Sequence, residues 1–352
     1  MNKLLLRLLL TLFFLINTSQ NYLYPLNITP KKISYKNEPY ELIVEGSEKN
    51  IYLQSNYEPT PKLKIKLIPD DNEESGYRTK IDIVIDPQKV LLNFKNNKYD
   101  NENIEKKHSQ ELSVLERLKG KKNIVQLLRH KKKSHILVLE KAKEDLFAYL
   151  GSNEINLINK IKIIKDIAYG IKDLHENNIL HRDLKIENIL IFEDENKNIT
   201  AKLCDFSLSK YVDPETKSCT LNLNKIPGTF LYISPNIYTQ IIKKIQEPIT
   251  TLKDDIYAFA YLMYLVMYKR NILDDEFSDY LEKNGKNLNT TMQLNQFVSY
   301  LINYEWRPIL YEDENSILNN LIEKCWAQEP EDRPDIEWVC DYLDNVFKEL
   351  EN

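Results

Sequence analysis

The most specific pattern in this 352-residue chain is His181-Arg182-Asp183-Leu184-Lys185-Ile186-Glu187-Asn188-Ile189-Leu190, and Cys204-Asp205-Phe206-Ser207 follows it after an apolar segment. Asp183 has a lysine two positions later and an asparagine five positions later, and Asp205 lies 205 − 183 = 22 positions further on. A carboxylate can orient a hydroxyl group and accept its proton, whereas an amide and a second carboxylate offer the oxygen ligands that Mg²⁺ prefers. The spacing therefore indicates one site in which these groups act together.

The whole pattern resembles the catalytic loop H-R-D-L-x-x-x-N and the D-F-G motif of eukaryotic protein kinases, with Ser207 in place of the glycine. Chance can supply H-R-D in a chain rich in Lys, Asn and Ile, but hardly the whole run with D-F at the family spacing. The resemblance implies an α+β fold of two lobes. The small lobe is an antiparallel β lobe with one helix, and the large lobe is mainly helical.

The resemblance also implies the chemistry of this site, which is phosphoryl transfer from ATP with Mg²⁺ to protein substrates. By this match Asp183 orients and deprotonates a Ser or Thr hydroxyl, and Lys185 steadies the γ-phosphate. Asn188 and Asp205 are then the two residues that hold Mg²⁺.

The composition is sufficient for a kinase domain with a large core, and it argues against a nucleic-acid-binding, disulfide-rich or zinc-binding protein. The chain is 42% hydrophobic, which is ample for a large core, and 48 Lys and Arg against 53 Asp and Glu give a net charge of −5. A nucleic-acid-binding surface needs an excess of basic residues, so we expect no nucleic-acid partner. The four cysteines form no C-x-x-C pair and do not cluster with histidines, so we expect neither a disulfide framework nor a zinc site.

An apolar run, Leu4–Ile16, follows a basic start at the N-terminus. It is too short for a stable membrane span but fits the apolar region of a signal peptide. We therefore predict a signal peptide at residues 1–20, an N-terminal extension at 21–39 and a kinase domain at 40–350. These bounds favour secretion or the secretory pathway. The alternative is a cytoplasmic kinase on which the N-terminal segment packs as a helix.

Residues 40–68 are predicted to form three strands of the small lobe. Within them, Val44-Glu45-Gly46-Ser47-Glu48-Lys49-Asn50-Ile51-Tyr52-Leu53 resembles the kinase phosphate-binding loop, although only the middle glycine of that loop is present. Glycine is needed there because backbone N–H groups must approach phosphate without a side chain between them. The residues that this match places at the nucleotide are Val44, Gly46, Ser47 and Ile51.

Two lysines are candidates for the residue that holds the α- and β-phosphates. Lys66 lies 66 − 51 = 15 residues beyond Ile51, near the family spacing, and is preferred because the apolar residues after it continue its strand. This register requires an insertion at residues 69–103. The alternative is Lys95, which lies 111 − 95 = 16 residues before Glu111. In both registers Glu111, in a helix predicted at 104–118, is the expected partner of the lysine.

The strand at His135–Glu140 resembles the one that enters the kinase hinge, so the predicted small lobe covers residues 40–142 and the large lobe covers 143–350. Backbone groups at the hinge face adenine, and the next segment meets the ribose. The residues that this match places around the nucleoside are Glu140, Ala142, Asp145 and Leu190.

The large lobe is predicted to contain two long helices. An apolar stripe from Leu157 to Leu174 predicts an amphipathic helix that runs into the catalytic loop. The segment Asp254–Tyr268 is apolar almost all round, which is typical of a buried central helix. Asp255 in that segment matches the family aspartate that holds the backbone of the catalytic loop.

Residues 205–236 resemble a kinase activation segment. Thr229 together with Lys185 is the pairing of serine/threonine kinases rather than of tyrosine kinases. Arg182 precedes the catalytic aspartate, and such an arginine can pair with a phosphate on this segment. The hydroxyls within its predicted reach are Thr216, Ser218 and Thr220.

Several positions depart from the family pattern. Asn236 replaces a glutamate that normally pairs with an arginine near the C-terminus, here Arg333, and an amide can accept a hydrogen bond but carries no charge. The Trp306-Arg307-Pro308 and Cys325-Trp326 runs resemble the tyrosine-kinase-like group of serine/threonine kinases. The thin glycine loop, Ser207 and Asn236 leave a pseudokinase that binds ATP or serves as a scaffold as the alternative. Retention of all four phosphate and metal groups favours the active enzyme.

Overall fold

The computed structural model describes the backbone of five strands between residues 32 and 93, and residues 101–131, 136–222, 228–229, 232–269, 307–313 and 316–351. The chain divides into two compact units, one of residues 1–120 and 125–142 and the other of residues 121–124 and 143–352. Among the described residues, no helix has both the length and the apolar character needed to cross a membrane.

Strands dominate the first unit. One sheet has the order β1 (Lys32–Tyr35), β2 (Glu38–Glu45), β3 (Lys49–Gln54) and β4 (Lys80–Val84). It is antiparallel except for the parallel pair β3 and β4. A second, antiparallel sheet has the order β5 (Lys89–Asn93), β7 (Ile136–Glu140) and β6 (Leu127–Lys131). The predicted strands near residues 40 and 51 fall in β2 and β3, and the strand predicted at 63–68 lies outside the described residues.

Helix α1 (Asn101–Arg117) completes the described part of this unit. Val114 and Leu115 on the helix and Leu118 just after it are buried, and their spacing of three to four residues follows the helical repeat. His108 and Glu111 on the same helix are also buried. A mostly antiparallel β unit with a helix agrees with the predicted small lobe.

Helices dominate the second unit. Those in the described residues are α2 (Leu146–Ser152), α3 (Leu157–Glu176), α4 (Pro235–Ile242), α5 (Leu252–Tyr268), α6 (Asn319–Cys325) and α7 (Ile336–Glu351). A small sheet has the order β11 (Ile199–Leu203), β10 (Ile189–Glu193) and β8 (Glu144–Asp145). Two further pairs are β9 (Ile179–Leu180) with β12 (Lys210–Tyr211) and β13 (Ser218–Thr220) with β14 (Ile249–Thr251). A β-rich unit followed by a helical unit confirms the predicted α+β fold.

The predicted central helix, α5, lies in the core of the second unit and is buried almost all round. Its N-terminus is closed by a capping box, in which Thr251 and Asp254 satisfy each other's backbone N–H groups. The amphipathic helix α3 packs closely against the β11 side of this core at Gly170. A Cβ atom at that glycine would lie 2.8 Å from both Asn123 O and Leu203 Cγ, so only glycine fits without a shift.

Candidate active site

Asp183 lies at the centre of contacts from the catalytic loop and the activation segment. Asn188 Nδ2 donates to the Asp183 carbonyl oxygen at 2.8 Å and to its Oδ2 at 3.1 Å. Lys185 Nζ lies 3.5 Å from the same Oδ2, and Thr229 Oγ1 donates to Oδ1 at 3.1 Å. The structure therefore brings together the three predicted catalytic residues, and it adds the threonine as a direct partner of the carboxylate.

The catalytic loop is anchored to α5 by Asp255, as the sequence predicted. Asp255 Oδ2 accepts from the backbone N–H of His181 at 2.8 Å, and Oδ1 accepts from that of Arg182 at 3.1 Å. His175 Nε2, at the end of α3, lies 3.2 Å from Oδ2. Arg182 has a positive φ of 70°, a conformation that is uncommon outside glycine. The buried carboxylate stabilises this turn because it binds the two consecutive N–H groups that lead into it.

The hairpin of β10 and β11 delivers Asp205 to the same region. The N–H of Cys204 donates to Asn188 O at 3.0 Å, which joins the residue before Asp205 to the end of the catalytic loop. Asp205 has a left-handed backbone with φ 61°, and Ser207 Oγ donates to its Oδ1 at 2.7 Å. Ser207 therefore contacts the predicted metal ligand directly, which the glycine of the family motif cannot do.

His181 connects the two motifs. Its Nδ1 accepts from the N–H of Asp183 at 3.3 Å, and its Nε2 lies 3.2 Å from Cys204 O. A proton on Nε2 together with a free lone pair on Nδ1 satisfies both contacts. The ring also packs on Phe206, with 5.3 Å between the ring centroids, and both side chains are fully buried. This packing fixes the distance between the catalytic loop and the segment that carries Asp205.

The electrostatics of the site favour a cation. Burial raises the pKa of the Asp183 carboxyl, Lys185 opposes this rise, and the nearby carboxylate of Asp205 adds to it. The amide oxygen of Asn188 and the carboxylate of Asp205 are the hard oxygen ligands that suit Mg²⁺. In the described part of the chain no three His, Cys, Asp or Glu side chains form a metal cluster. The residues thus fit an ion that takes its other ligands from phosphates and water.

Two of the residues predicted at the nucleoside are neighbours in the second unit. Asp145 in β8 and Leu190 in β10 are directly opposite each other in the antiparallel pair. Asp145 also caps α2, because its Oδ1 accepts from the N–H of Ala148 at 2.8 Å. A strand pair and a helix cap therefore hold the ribose candidate and the adenine candidate in register.

The predicted hinge residues lie in the first unit. The N–H of Glu140 donates to Gln126 O at 3.0 Å, and Glu140 Oε1 accepts from the N–H of Gln126 at 2.9 Å. The end of β7 is thereby held to the segment before β6, and Ala142 follows it half-buried. Both residues stay predictions as adenine contacts.

The phosphate-binding residues predicted in the small lobe are only partly described. Val44 and Ile51 are opposite each other in the pair of β2 and β3, which agrees with two strands flanking a loop. The other predicted residues of this region, Gly46, Ser47 and Lys66, and the alternative Lys95 lie outside the described residues.

The strand pairing bears on the choice between the two lysines. β5 (Lys89–Asn93) pairs along its whole length with β7, the strand that leads to Glu140. Lys95 follows β5 by two residues, and α1 with the buried Glu111 comes next in the chain. The choice between Lys66 and Lys95 as the nucleotide lysine stays a prediction.

Comparison with known proteins agrees with this geometry. Residues 87–343 match the family model described as "Protein kinase domain". The chain belongs to the protein kinase family. The match to the kinase domain begins just before β5.

This kinase is similar to several proteins of Dictyostelium discoideum. "Dual specificity protein kinase shkA" is 28% identical over 196 residues, which are 55% of this chain and 32% of that protein. "Dual specificity protein kinase shkE" is 30% identical over 217 residues, 60% of this chain and 26% of that protein. "Probable serine/threonine-protein kinase gdt2" is 29% identical over 265 residues, 73% of this chain and 14% of that protein. The aligned part of the kinase thus spans a third or less of each of these relatives.

Two contacts of the candidate site could not be predicted from the sequence motifs. Ser207 was visible as a substitution, but its hydrogen bond to Asp205 was not foreseen. The sequence marks Asp254 only as the start of α5, whereas the structure gives its carboxylate contacts to the activation segment and to Arg333. The available signal was an Asp-Asp pair at the start of an apolar helix.

Proposed function

We propose that this chain is an active kinase that uses ATP and Mg²⁺ to phosphorylate Ser or Thr hydroxyls of protein substrates. The observation that carries the proposal is the set of contacts around Asp183, which binds Asn188, Lys185 and Thr229 at the same time. A module that only binds a nucleotide has no need to fix a carboxylate on the acceptor side of the site.

The geometry supports a direct transfer without a covalent intermediate on the enzyme. Asp183 orients the substrate hydroxyl and accepts its proton while the oxygen bonds to the γ-phosphorus and ADP leaves. Lys185, beside that carboxylate, offsets the charge of the transferred phosphoryl group. Asn188 and Asp205 would hold Mg²⁺, which when bound neutralises the charge of the nucleotide phosphates. Positioning and charge stabilisation therefore supply the catalysis.

Specificity for Ser and Thr is supported by Thr229. Its hydroxyl contacts Asp183, whose other oxygen faces Lys185, and this is the arrangement that the sequence resemblance associates with serine/threonine kinases. The Cys325-Trp326 run adds the likeness to the tyrosine-kinase-like group. Two relatives carry "dual specificity" in their names and one carries "serine/threonine". Matched peptides that differ only in Ser, Thr or Tyr test the point, and equal rates on Tyr would contradict it.

We also propose that Lys95 is the lysine that aligns the phosphates and that Glu111 is its partner. The support is the pairing of β5 with β7 and the buried position of Glu111 on α1.

Transfer of labelled phosphate from ATP by the purified protein tests the function. We expect the wild-type protein to phosphorylate itself or a degenerate peptide library, and Asp183→Asn to lower the rate about a thousandfold. Asp205→Ala should abolish Mg²⁺-dependent transfer. Asp341→Ala, at an exposed position on α7, is the matched control and should leave the rate unchanged. A wild-type protein that binds ATP but transfers no phosphate would support the pseudokinase alternative instead.

A further inference from the structure

Arg333 is a cation buried in the second unit, and most of its partners are neutral. Its guanidinium donates to three backbone carbonyl oxygens, those of Ala327 at 2.9 Å, Lys253 at 3.1 Å and Gln328 at 2.9 Å. Its Nη2 also donates to the amide oxygen of Asn236 at 3.1 Å. The side chain is completely buried. A buried guanidinium without a carboxylate nearby is costly, so these neutral contacts alone do not explain it.

A second cation increases the need for a negative charge. The guanidinium groups of Arg307 and Arg333 both contact the ring of Tyr257, at 5.3 Å and 5.0 Å from its centroid. Burial lowers the pKa of Arg333, and the carboxylate of Asp254 opposes this effect. Asn236, which stands where the resembled family has the pairing glutamate, adds no charge.

Asp254 is the carboxylate that the structure places there. Its Oδ1 lies 3.5 Å from Arg333 Nη1, and the same oxygen accepts from Ser234 Oγ at 2.5 Å and from Asn236 Nδ2 at 2.9 Å. Asn236 therefore bridges the two charges, because its amide nitrogen donates to Asp254 and its oxygen accepts from Arg333. The other oxygen, Oδ2, accepts from Thr250 Oγ1 and from the N–H of Thr251, both at 2.8 Å. These contacts exceed what a capping box requires.

We propose that Asp254 supplies the charge that is missing at position 236 and is a positioning residue for catalysis. Its carboxylate joins the Ser234–Asn236 end of the activation segment to α5 and to Arg333. The neighbouring Asp255 on the same helix turn binds the catalytic loop. The segment that Asp254 holds continues back to Thr229, whose carbonyl oxygen accepts from the N–H of Tyr232 at 2.9 Å and whose hydroxyl contacts Asp183. Asp254 thus holds the end of the activation segment, and the adjacent Asp255 holds the catalytic loop.

The inference deepens the proposed function, and a charge-exchange experiment tests it. Asp254→Asn keeps the size of the side chain and removes its charge. We expect kcat to fall about tenfold, with a smaller change in KM for ATP. The reason is that Asp254 holds the activation segment, which reaches Asp183 through Thr229, and contacts none of the residues predicted to bind the nucleotide. Asn236→Glu in the Asp254→Asn protein returns one carboxylate to Arg333, and kcat should recover to within about threefold of the wild type.

Asp335→Asn is the matched control. Asp335 is an exposed carboxylate that pairs at 2.7 Å with Lys253, the residue before Asp254. Loss of its charge should change neither kcat nor the melting temperature appreciably. A doubly substituted protein no more active than Asp254→Asn would overturn the proposal. The same holds if Asp254→Asn fails to fold and Asn236→Glu does not restore a folded, active protein.

The outcome is separable from that of the proposed function. If the wild-type protein transfers no phosphate, the proposed function fails. The coupling between positions 236 and 254 is then measured from the melting temperatures and tryptic cleavage rates of the wild type, both single variants and the double variant. Non-additive changes, with slower cleavage near Ser234 in the double variant than in Asp254→Asn, support the inference, and additive changes overturn it.

Discussion

At the scale of single residues, the hydroxyl of Ser207 changes the surroundings of Asp205, the predicted Mg²⁺ ligand. It donates to Asp205 Oδ1 at 2.7 Å, so one of the two oxygens of that carboxylate is already engaged by the protein. A hydrogen bond draws charge from a carboxylate and occupies a lone pair that a cation can use. The kinase should therefore need more Mg²⁺ than it would with no side-chain donor at this position.

Ser207→Ala tests this point. We expect the Mg²⁺ concentration that gives half-maximal velocity to fall by up to about fivefold, the equivalent of one hydrogen bond. The measurement is the initial rate at saturating ATP over a Mg²⁺ titration. Ser152→Ala is the control, because the hydroxyl of that exposed serine bonds to the backbone of α2 and to the side chain of Asn153, away from Asp205. A higher Mg²⁺ requirement in Ser207→Ala would mean that the hydroxyl instead helps to orient the ligand.

At the scale of elements, the close contact between α3 and β11 at Gly170 can be tested by comparing Gly170 with Gly151, a helical glycine on α2. Gly170→Ala places a methyl group 2.8 Å from both Asn123 O and Leu203 Cγ, so we expect it to destabilise the fold by about 1–3 kcal/mol. Gly151, on α2, has no atom within 4 Å of an added Cβ, and its replacement by Ala should stabilise the fold by about 0.5–1 kcal/mol. Thermal unfolding of both variants checks the opposite signs. Equal shifts would contradict the close packing described for α3.

The activation segment is the element on which we expect regulation. Arg182 Nε is buried and has no hydrogen-bond partner among the described residues, and burial lowers the pKa of the guanidinium. β13, which carries Ser218 and Thr220, pairs with β14 just before α5, and Thr216 Oγ1 lies 2.9 Å from Ser218 Oγ. A phosphate on this hydroxyl cluster would bring an anion that Arg182 Nε can bind.

Replacement of Thr216, Ser218 and Thr220 by Ala should therefore lower kcat by about tenfold or more, because no phosphate can then order the segment. Phosphatase treatment of the wild-type protein is the control and should lower its rate to the same level. Intact mass spectrometry before and after treatment follows the phosphate. A triple variant as active as the untreated wild type would remove the hypothesis.

At the scale of the whole molecule, the sequence predicted the α+β fold and the local arrangement of the catalytic loop. The spacing of Asp183, Lys185 and Asn188 is local, so a motif fixes their relative positions once the loop forms. Asp254 was missed because its partners, Ser234 and Arg333, come from distant segments and only the folded chain brings them together. The small-lobe register stays a prediction, because lysines are frequent there and the glycines that mark the phosphate-binding loop are mostly absent.

The choice of lysine is decided by a second matched pair. Lys95→Ala should lower kcat/KM for ATP about 100-fold or more, because the phosphates lose the cation that aligns them. Lys66→Ala should have little effect, since the family match begins at residue 87 and β5 is the strand that pairs with β7. Steady-state rates over an ATP titration measure both. The reverse order of effects would restore the register with an insertion at 69–103.

The hydrogen bonds between Asp255 and the catalytic loop should slow the exchange of two backbone amide hydrogens with solvent. The amide hydrogens of His181 and Arg182 both donate to a carboxylate on α5, a helix that is buried almost all round. An amide exchanges with solvent only when its hydrogen bond opens, and here opening requires α5 to separate from the loop. We expect both amides to exchange in deuterated buffer as slowly as those in the middle of α5, rather than at the fast rate usual for loops. Fast exchange at either residue would show that the catalytic loop opens independently of the core.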